Sequence, residues 1–296
     1  MTAAPSRMSL RRWLAPASPV IAALALGGIL AAAQLPNKQG SLKFAAIGDN
    51  GTGDQAEYDV ARQMTAAHET FPFDLVIMLG DNMYGSQKPD DFVKKFEKPY
   101  AALLSASVQF RASLGNHDQP SNVSYKLYNM DGQRYYSYTR NNVRFVALDS
   151  TQMDAKQRNW VEATLRDAKE DWKICYFHHP LYSNAARHGS SVDLRVVLEP
   201  LFAKYGVNVV FSGHDHVYER VKPQKGIYYF VSGAAGQLRQ GNMRPTDDTA
   251  AYFDQEQSFM LVEIAGNDMY FSSISRSGKT VDSGVIHRLP GASNDR

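Results

Sequence analysis

From residue 41 to residue 212 the chain alternates short apolar runs with longer stretches at helical spacing. The runs Ser41–Ile47, Leu75–Leu79, Val108–Leu114, Trp172–Phe177 and Val207–Phe211 each end in a polar turn, a pattern that predicts buried strands. Tyr135–Tyr138 and Val143–Leu148 predict an antiparallel pair around Arg140-Asn141-Asn142. Between the strands, helices are expected up to about His68, from about Asp90 with a break at Pro99, and over Asp154–Ala168 with Val161, Leu165 and Ala168 on one face. A further helix carries Leu194, Val197, Leu198, Leu201, Phe202 and Tyr205, kinked at Pro200. The remainder is strand-rich, with Ile227–Ser232, Ser258–Ile264, Met269–Ile274 and Val281–Ile286 as strands and Gln240–Gln257 as a polar loop. Alternation followed by strands predicts an α/β fold of sheets packed together under helices.

In such folds ligands gather at the carboxyl ends of strands. Five of the predicted strand ends carry potential metal ligands: Gly48-Asp49-Asn50-Gly51, Gly80-Asp81-Asn82-Met83-Tyr84, Gly115-Asn116-His117-Asp118, His178-His179-Pro180 and Gly213-His214-Asp215-His216. Five of the eight histidines fall in these turns, more than turn chemistry alone explains. A carboxylate such as Asp81 can bridge two ions, and the Tyr84 phenolate is a hard ligand suited to ferric iron. Imidazole and carboxylate without thiolate favour zinc, iron or manganese.

Charge and cysteine content narrow the setting. Arg7, Arg11 and Arg12 precede the apolar stretch Val20–Ala33, which describes an export signal cleaved after Ala33; an uncleaved anchor is the alternative, although fourteen residues are short for a span. Ser9-Leu10-Arg11-Arg12-Trp13-Leu14 loosely resembles a twin-arginine signal. Without residues 1–33, 29 basic residues face 30 acidic ones, a formal charge near −1 that argues against a polynucleotide groove. Cys175 is the one cysteine, which excludes an internal disulfide and a thiolate cage. The expected organisation is a leader over 1–33, a linker over 34–41, one domain over 42–290 and a tail over 291–296.

The five blocks, in this order over residues 42 to about 220, resemble the signature of the binuclear metallophosphoesterases. Tyr84 and the Gly-Asp-Asn-x-Tyr form resemble the purple acid phosphatases, in particular the small, mammalian-type tartrate-resistant branch. The resemblance implies a calcineurin-like domain, a four-layer α-β-β-α sandwich of two mixed sheets flanked by helices. It implies that Asp49, Tyr84 and His216 hold a ferric ion, that Asn116, His178 and His214 hold divalent iron, zinc or manganese, and that Asp81 bridges them. Five positive charges against three ligand anions leave +2, and +1 after a hydroxide binds, so the centre still attracts a phosphate dianion. The activity implied is acid phosphatase, hydrolysis of phosphate monoesters by metal-activated hydroxide.

His117 and His188 are candidates for phosphate contact and for protonating the leaving alkoxide. His179 is read as supporting the ligands or structural, His68 and His287 as structural, and Asp118 and Asp215 as orienting neighbouring imidazoles. Expected partners are small phosphorylated substrates, acted on by a monomer in the periplasm or outside the cell. A phosphodiesterase or nucleotide hydrolase on the same centre, with specificity set by loops 119–133 and 240–257, is the rival within enzymes. A non-catalytic metal- or phosphate-binding protein is the rival outside them, and redox chemistry at iron is a side activity. The missing disulfide separates this chain from the small mammalian-type enzymes.

Overall fold

A computed structural model describes residues 1–3 and 35–288. The leader expected over 1–33 and the tail expected over 291–296 lie outside these residues, apart from 1–3. Two mixed sheets are present. In the first, β1 (Leu42–Ile47), β2 (Leu75–Leu79) and β3 (Gln109–Ser113) run parallel. The antiparallel strands β11 (Ser258–Ala265), β12 (Asp268–Ser275) and β13 (Thr280–His287) continue from β1. In the second, β5 (Val143–Ala147), β6 (Trp172–Tyr176), β7 (Val209–Ser212) and β9 (Ile227–Ser232) are parallel. The antiparallel strands β4 (Tyr136–Arg140), β8 (Tyr218–Gln224) and β10 (Thr249–Phe253) complete it.

The two-residue period of the strands decides which side chains face which layer. In β5 to β7, Phe145, Ile174, Tyr176, Val209 and Phe211 join the core between the sheets, while Val146, Cys175 and Val210 point outward. Phe44 of the first sheet meets Phe145 and Phe211 of the second edge-on, at 5.4 and 6.0 Å, so the sheets lie face to face. Outside the second sheet, α4 (Ala155–Asp167) and α5 (Val192–Lys204) bury Val161, Leu165, Leu198 and Phe202 against those outward residues. Outside the first, α1 (Gln55–Thr70) contributes Val60, Ala61 and Met64 and α3 (Ala101–Ser105) contributes Leu103. This is the expected α-β-β-α layering.

Local predictions needed four corrections. The stretch from Asp90 is broken further than Pro99 alone implies: α2 (Pro89–Phe92) passes into a π-helical turn, Val93–Glu97, before Pro99 separates α3. Loop 240–257 contains strand β10, a run of only five residues, half-buried and exposed in alternation, set in an otherwise polar stretch. Strand β8, with sequence YERVKPQ, was unpredicted because four of its seven residues are polar or charged. The stretch read as a linker is tied down, since the Glu263 carboxylate accepts the Asn37 and Lys38 N–H groups, both at 2.6 Å, and the Ser41 hydroxyl at 2.7 Å. Among the described residues no helix is long and apolar enough to cross a membrane.

Candidate metal centre

The carboxyl ends of β1, β2 and β3 meet those of β6 and β7 across the sandwich, and backbone bonds stitch the turns together. Asp49 N–H donates to Gly80 O at 3.0 Å, and Gly213 N–H to His178 O at 2.9 Å. Asp49, Asp81 and His214 take left-handed backbone conformations, with φ of 56°, 51° and 69°. Each costs on the order of 1–3 kcal/mol, strain of a kind that gathers at functional sites. Two glycines permit the approach: a methyl group at Gly115 would stand 2.2 Å from Asp81 N, and one at Gly213 would stand 2.5 Å from Asp49 Oδ2.

Two groups of side chains result. In the first, Tyr84 OH donates to Asp49 Oδ1 at 2.9 Å and stands 3.2 Å from His216 Nε2, itself 3.3 Å from Asp49 Oδ1. In the second, His178 Nε2 lies 3.0 Å from Asn116 Oδ1 and 3.1 Å from His214 Nδ1. Asp81 Oδ2 is 3.4 Å from His178 Nε2, and Asp49, Asp81 and His178 each place one donor atom within 4.8 Å of the others. Asp81 therefore adjoins both groups. The structure thus brings together all seven residues expected to hold metal.

The donor set fits a pair of cations. Donor atoms bound to one ion at about 2.1 Å are about 3.0 to 3.4 Å apart for right-angled to tetrahedral arrangements, the spacing found here. Asp49 and Asp81 are buried, at 0% and 1% exposure, and among the described residues no lysine or arginine pairs with either. Buried carboxylates in this state call for cations. His178 Nδ1–H donates to Leu79 O at 3.0 Å, which aims Nε2 at the centre. Burial disfavours charge on His178, but the Asp49 and Asp81 carboxylates outweigh it and push the imidazole up to about 9. Without metal, a proton there takes a cation's place. Burial, then the two carboxylates, hold the Tyr84 phenol far above its ordinary range. His214 is pushed down to about 2 by burial and by its imidazole neighbours His178 and His179.

Of the other predicted residues, His117 is exposed at the rim; its backbone N–H donates to Asp81 Oδ1 at 2.8 Å and its ring lies 4.7 Å from Tyr84. The exposed His188 ring lies 4.2 Å from His214. The His179 ring lies 4.4 Å from His214, with Nδ1 2.9 Å from Ser150 Oγ. His68 packs edge-on to Phe73, and His287 pairs with Asp268 on the surface.

Asp118 and Asp215 do not contact imidazoles through their carboxylates as expected. Asp118 accepts the N–H groups of Gly115, Asn82 and Met83 and the Asn82 amide, so it braces the two turns carrying Asp81 and Asn116. Asp215 accepts Ser183 Oγ–H at 2.6 Å and Gly189 N–H at 3.1 Å, which anchors the loop bearing His188. Burial pushes the Asp215 carboxyl up to about 6 against the pull of those donors.

Sequence reasoning missed three supports. Gln87 donates to His117 O at 2.6 Å, and Lys95 donates to Tyr84 O and Ser86 O at 2.6 and 2.7 Å. Arg239 donates its N–H to His216 O at 3.0 Å and has a buried, unpartnered side-chain Nε. It sits near enough for its charge, with burial and with His216 and Arg187, to lower the His188 pKa. None of the three belongs to a motif.

Residues 42–218 match the family model described as calcineurin-like phosphoesterase. The chain belongs to this family. Its relatives include tartrate-resistant acid phosphatase type 5 of Homo sapiens, 28% identical over 291 residues, 81% of this chain and 89% of the relative. They also include purple acid phosphatase 17 of Arabidopsis thaliana, 25% identical and covering 77% and 79%. Among solved structures, a purple acid phosphatase from yellow lupin has the same fold at a TM-score of 0.71, with 19% identity and coverage of 86% and 55%. So does GAP50, the anchor in the inner membrane complex of Plasmodium, at 0.70, with 18% identity and coverage of 84% and 89%. Relatives of this calcineurin-like chain are thus named acid phosphatases, and its histidine–aspartate cluster is consistent with a binuclear metal centre.

Proposed function

We propose that the protein is an exported binuclear metallohydrolase that hydrolyses phosphate monoesters in mild acid. The observation that carries this reading is the pair of donor groups flanking Asp81, assembled from both sheets in a family of phosphoesterases. GAP50 is named an anchor on the same fold, so the fold alone does not imply turnover. The full donor set, with two rim histidines beside it, favours catalysis over mere binding.

Asp49, Tyr84 and His216 would hold one ion, iron in the ferric state because a phenolate suits it. Asn116, His178 and His214 would hold a divalent iron, zinc or manganese, with Asp81 reaching both. Such a pair would supply positive charge to the phosphoryl oxygens and lower the pKa of a water. His117 is fixed through its backbone to Asp81, so its position is coupled to the carboxylate that would reach both ions. His188 is fixed through its loop to Asp215, and in our reading it contacts phosphate and protonates the leaving alkoxide. Burial and the Arg239 charge lower the His188 pKa, so the ring gives up a proton more readily than a free imidazole.

We place residues 42–290 in one domain acting on small phosphorylated substrates as a monomer without a polynucleotide groove. The leader motif supports export to the periplasm or beyond. The test is phosphate release from matched mono- and diesters by metal-loaded protein in mild acid. Monoester turnover lost in Asp81→Ala is expected; preference for the diester would replace the reading with the phosphodiesterase rival.

A further inference from the structure

A cavity of about 450 Å³ opens beside the metal centre, within the size range of small-molecule pockets. His179 forms the seam: its ring lies 4.4 Å from that of His214 and also lines the cavity. Ser150 Oγ holds His179 twice, by its backbone N–H at 3.0 Å and by its Nδ1 at 2.9 Å. With Nδ1 engaged, a ring nitrogen of His179 lies within 4.8 Å of donor atoms of His178 and His214, so the ring faces the metal centre as well as the cavity. The rest of the wall comes from Ser150, Thr151, Ser190, Ser191 and Asp193, with Val192 and Leu194 as its aliphatic part.

The wall both donates and accepts. Thr151 Oγ1 gives its hydrogen to Asp149, and Ser190 Oγ gives its own to Ser183 O at 3.2 Å while accepting Ser183 N–H at 3.0 Å, so Thr151 keeps its lone pairs and Ser190 keeps one. Ser191 makes no side-chain cap on α5, whose first N–H groups lack helical partners. Asp193 adds an exposed carboxylate, and among the described residues no lysine or arginine lines the cavity. A second phosphate would meet Asp193 without a basic side chain, and an aryl group would leave the hydroxyls unmatched. Groups that donate and accept at every position are polyhydroxylated.

We propose that this cavity receives the alcohol portion of the substrate, and that the substrate is a sugar or polyol phosphate. His179 stands at the junction of phosphoryl and alcohol portions. The inference rests on the monoester reading above and adds a substrate class to it.

The test compares glucose 6-phosphate with phenyl phosphate on metal-loaded protein, before and after filling the cavity by Ser191→Phe. The ratio of kcat/KM for the sugar ester to that for the aryl ester should fall about tenfold, mainly through KM, the loss of one or two hydrogen bonds. Thr151→Phe, from the other loop, should act in the same direction if Ser191→Phe fails to fold. Calorimetric binding of the methylene phosphonate of glucose 6-phosphate, against phenylphosphonate, gives a readout independent of turnover. An unchanged ratio in both variants, or tighter binding of pyrophosphate than of the sugar phosphonate, would overturn the proposal. Absence of hydrolysis of both esters, with phosphonate discrimination intact, would instead overturn the monoester reading and leave the cavity assignment standing.

Discussion

Tyr84→Phe removes one oxygen and tests the electrostatics of the centre directly. In the metal-free protein the phenol keeps its proton, because it is half-buried beside Asp49 and Asp81, and it donates to Asp49 Oδ1 at 2.9 Å. His178 keeps a second proton, its imidazole pushed up to about 9. Metal loading must expel both, since ligands bind deprotonated. At about pH 7 the wild type should therefore release about one proton more per chain than Tyr84→Phe. Its apparent affinity should rise about tenfold more per pH unit than the variant's, because the Tyr84 phenol keeps its proton until metal binds, while the His178 proton is common to both. The metal-free variant should also lose about 1.5–3 kcal/mol, the usual worth of a hydrogen bond to a charged acceptor. Zinc titration calorimetry in two buffers of different ionisation enthalpy counts the protons, and zinc avoids redox complications. Equal proton release from the two proteins would refute the claim that Tyr84 enters the metal shell as a phenolate.

Other substitutions probe the supports. Gly115→Ala places a methyl group 2.2 Å from Asp81 N where about 3.4 Å is ordinary, so the Asn116 turn must move by about 1.2 Å. Stability should fall by about 1–3 kcal/mol and activity by about 100-fold, read by melting and kinetics; wild-type values would contradict the close approach. His188→Ala should slow monoester turnover about 100-fold or more with metal content unchanged, and unaltered kinetics would make it a bystander. Asp215 has a folded pKa raised to about 6 from 3.8, so the folded state holds the extra proton. Its contribution is fully present below 3.8 and is lost as pH rises through 6, about 3 kcal/mol in all. Asp215→Asn should flatten that part of the metal-free stability profile, and an unchanged difference across the window would exclude the assignment.

The ligand set was legible because its residues end strands. Parallel strands β1, β2 and β5–β7 are largely apolar runs and β3 alternates, all with abrupt polar ends, so Asp49, Asp81, Asn116, His178 and His214 mark one edge of the fold in the sequence itself. The supports were illegible for the converse reason. Arg239 reaches the centre through a backbone bond to His216 O, and Gln87 and Lys95 act on carbonyls, contacts that carry no spacing. Asp118 and Asp215 were located correctly but given the wrong partners, because adjacency to a histidine in sequence does not set where a carboxylate points in a turn. Strand β8 was missed because its polar residues broke the period that identifies a strand, and β10 because its five residues sit inside an otherwise polar stretch.

The central claim is that the two donor groups hold two ions, one of them ferric and bound by Tyr84. The visible absorption spectrum of protein produced aerobically with iron, with metal content measured on the same sample, tests it most directly. The account predicts two metal ions per chain and a violet band that disappears in Tyr84→Phe. A colourless protein with two zinc or manganese ions, or a band that survives the substitution, would contradict it.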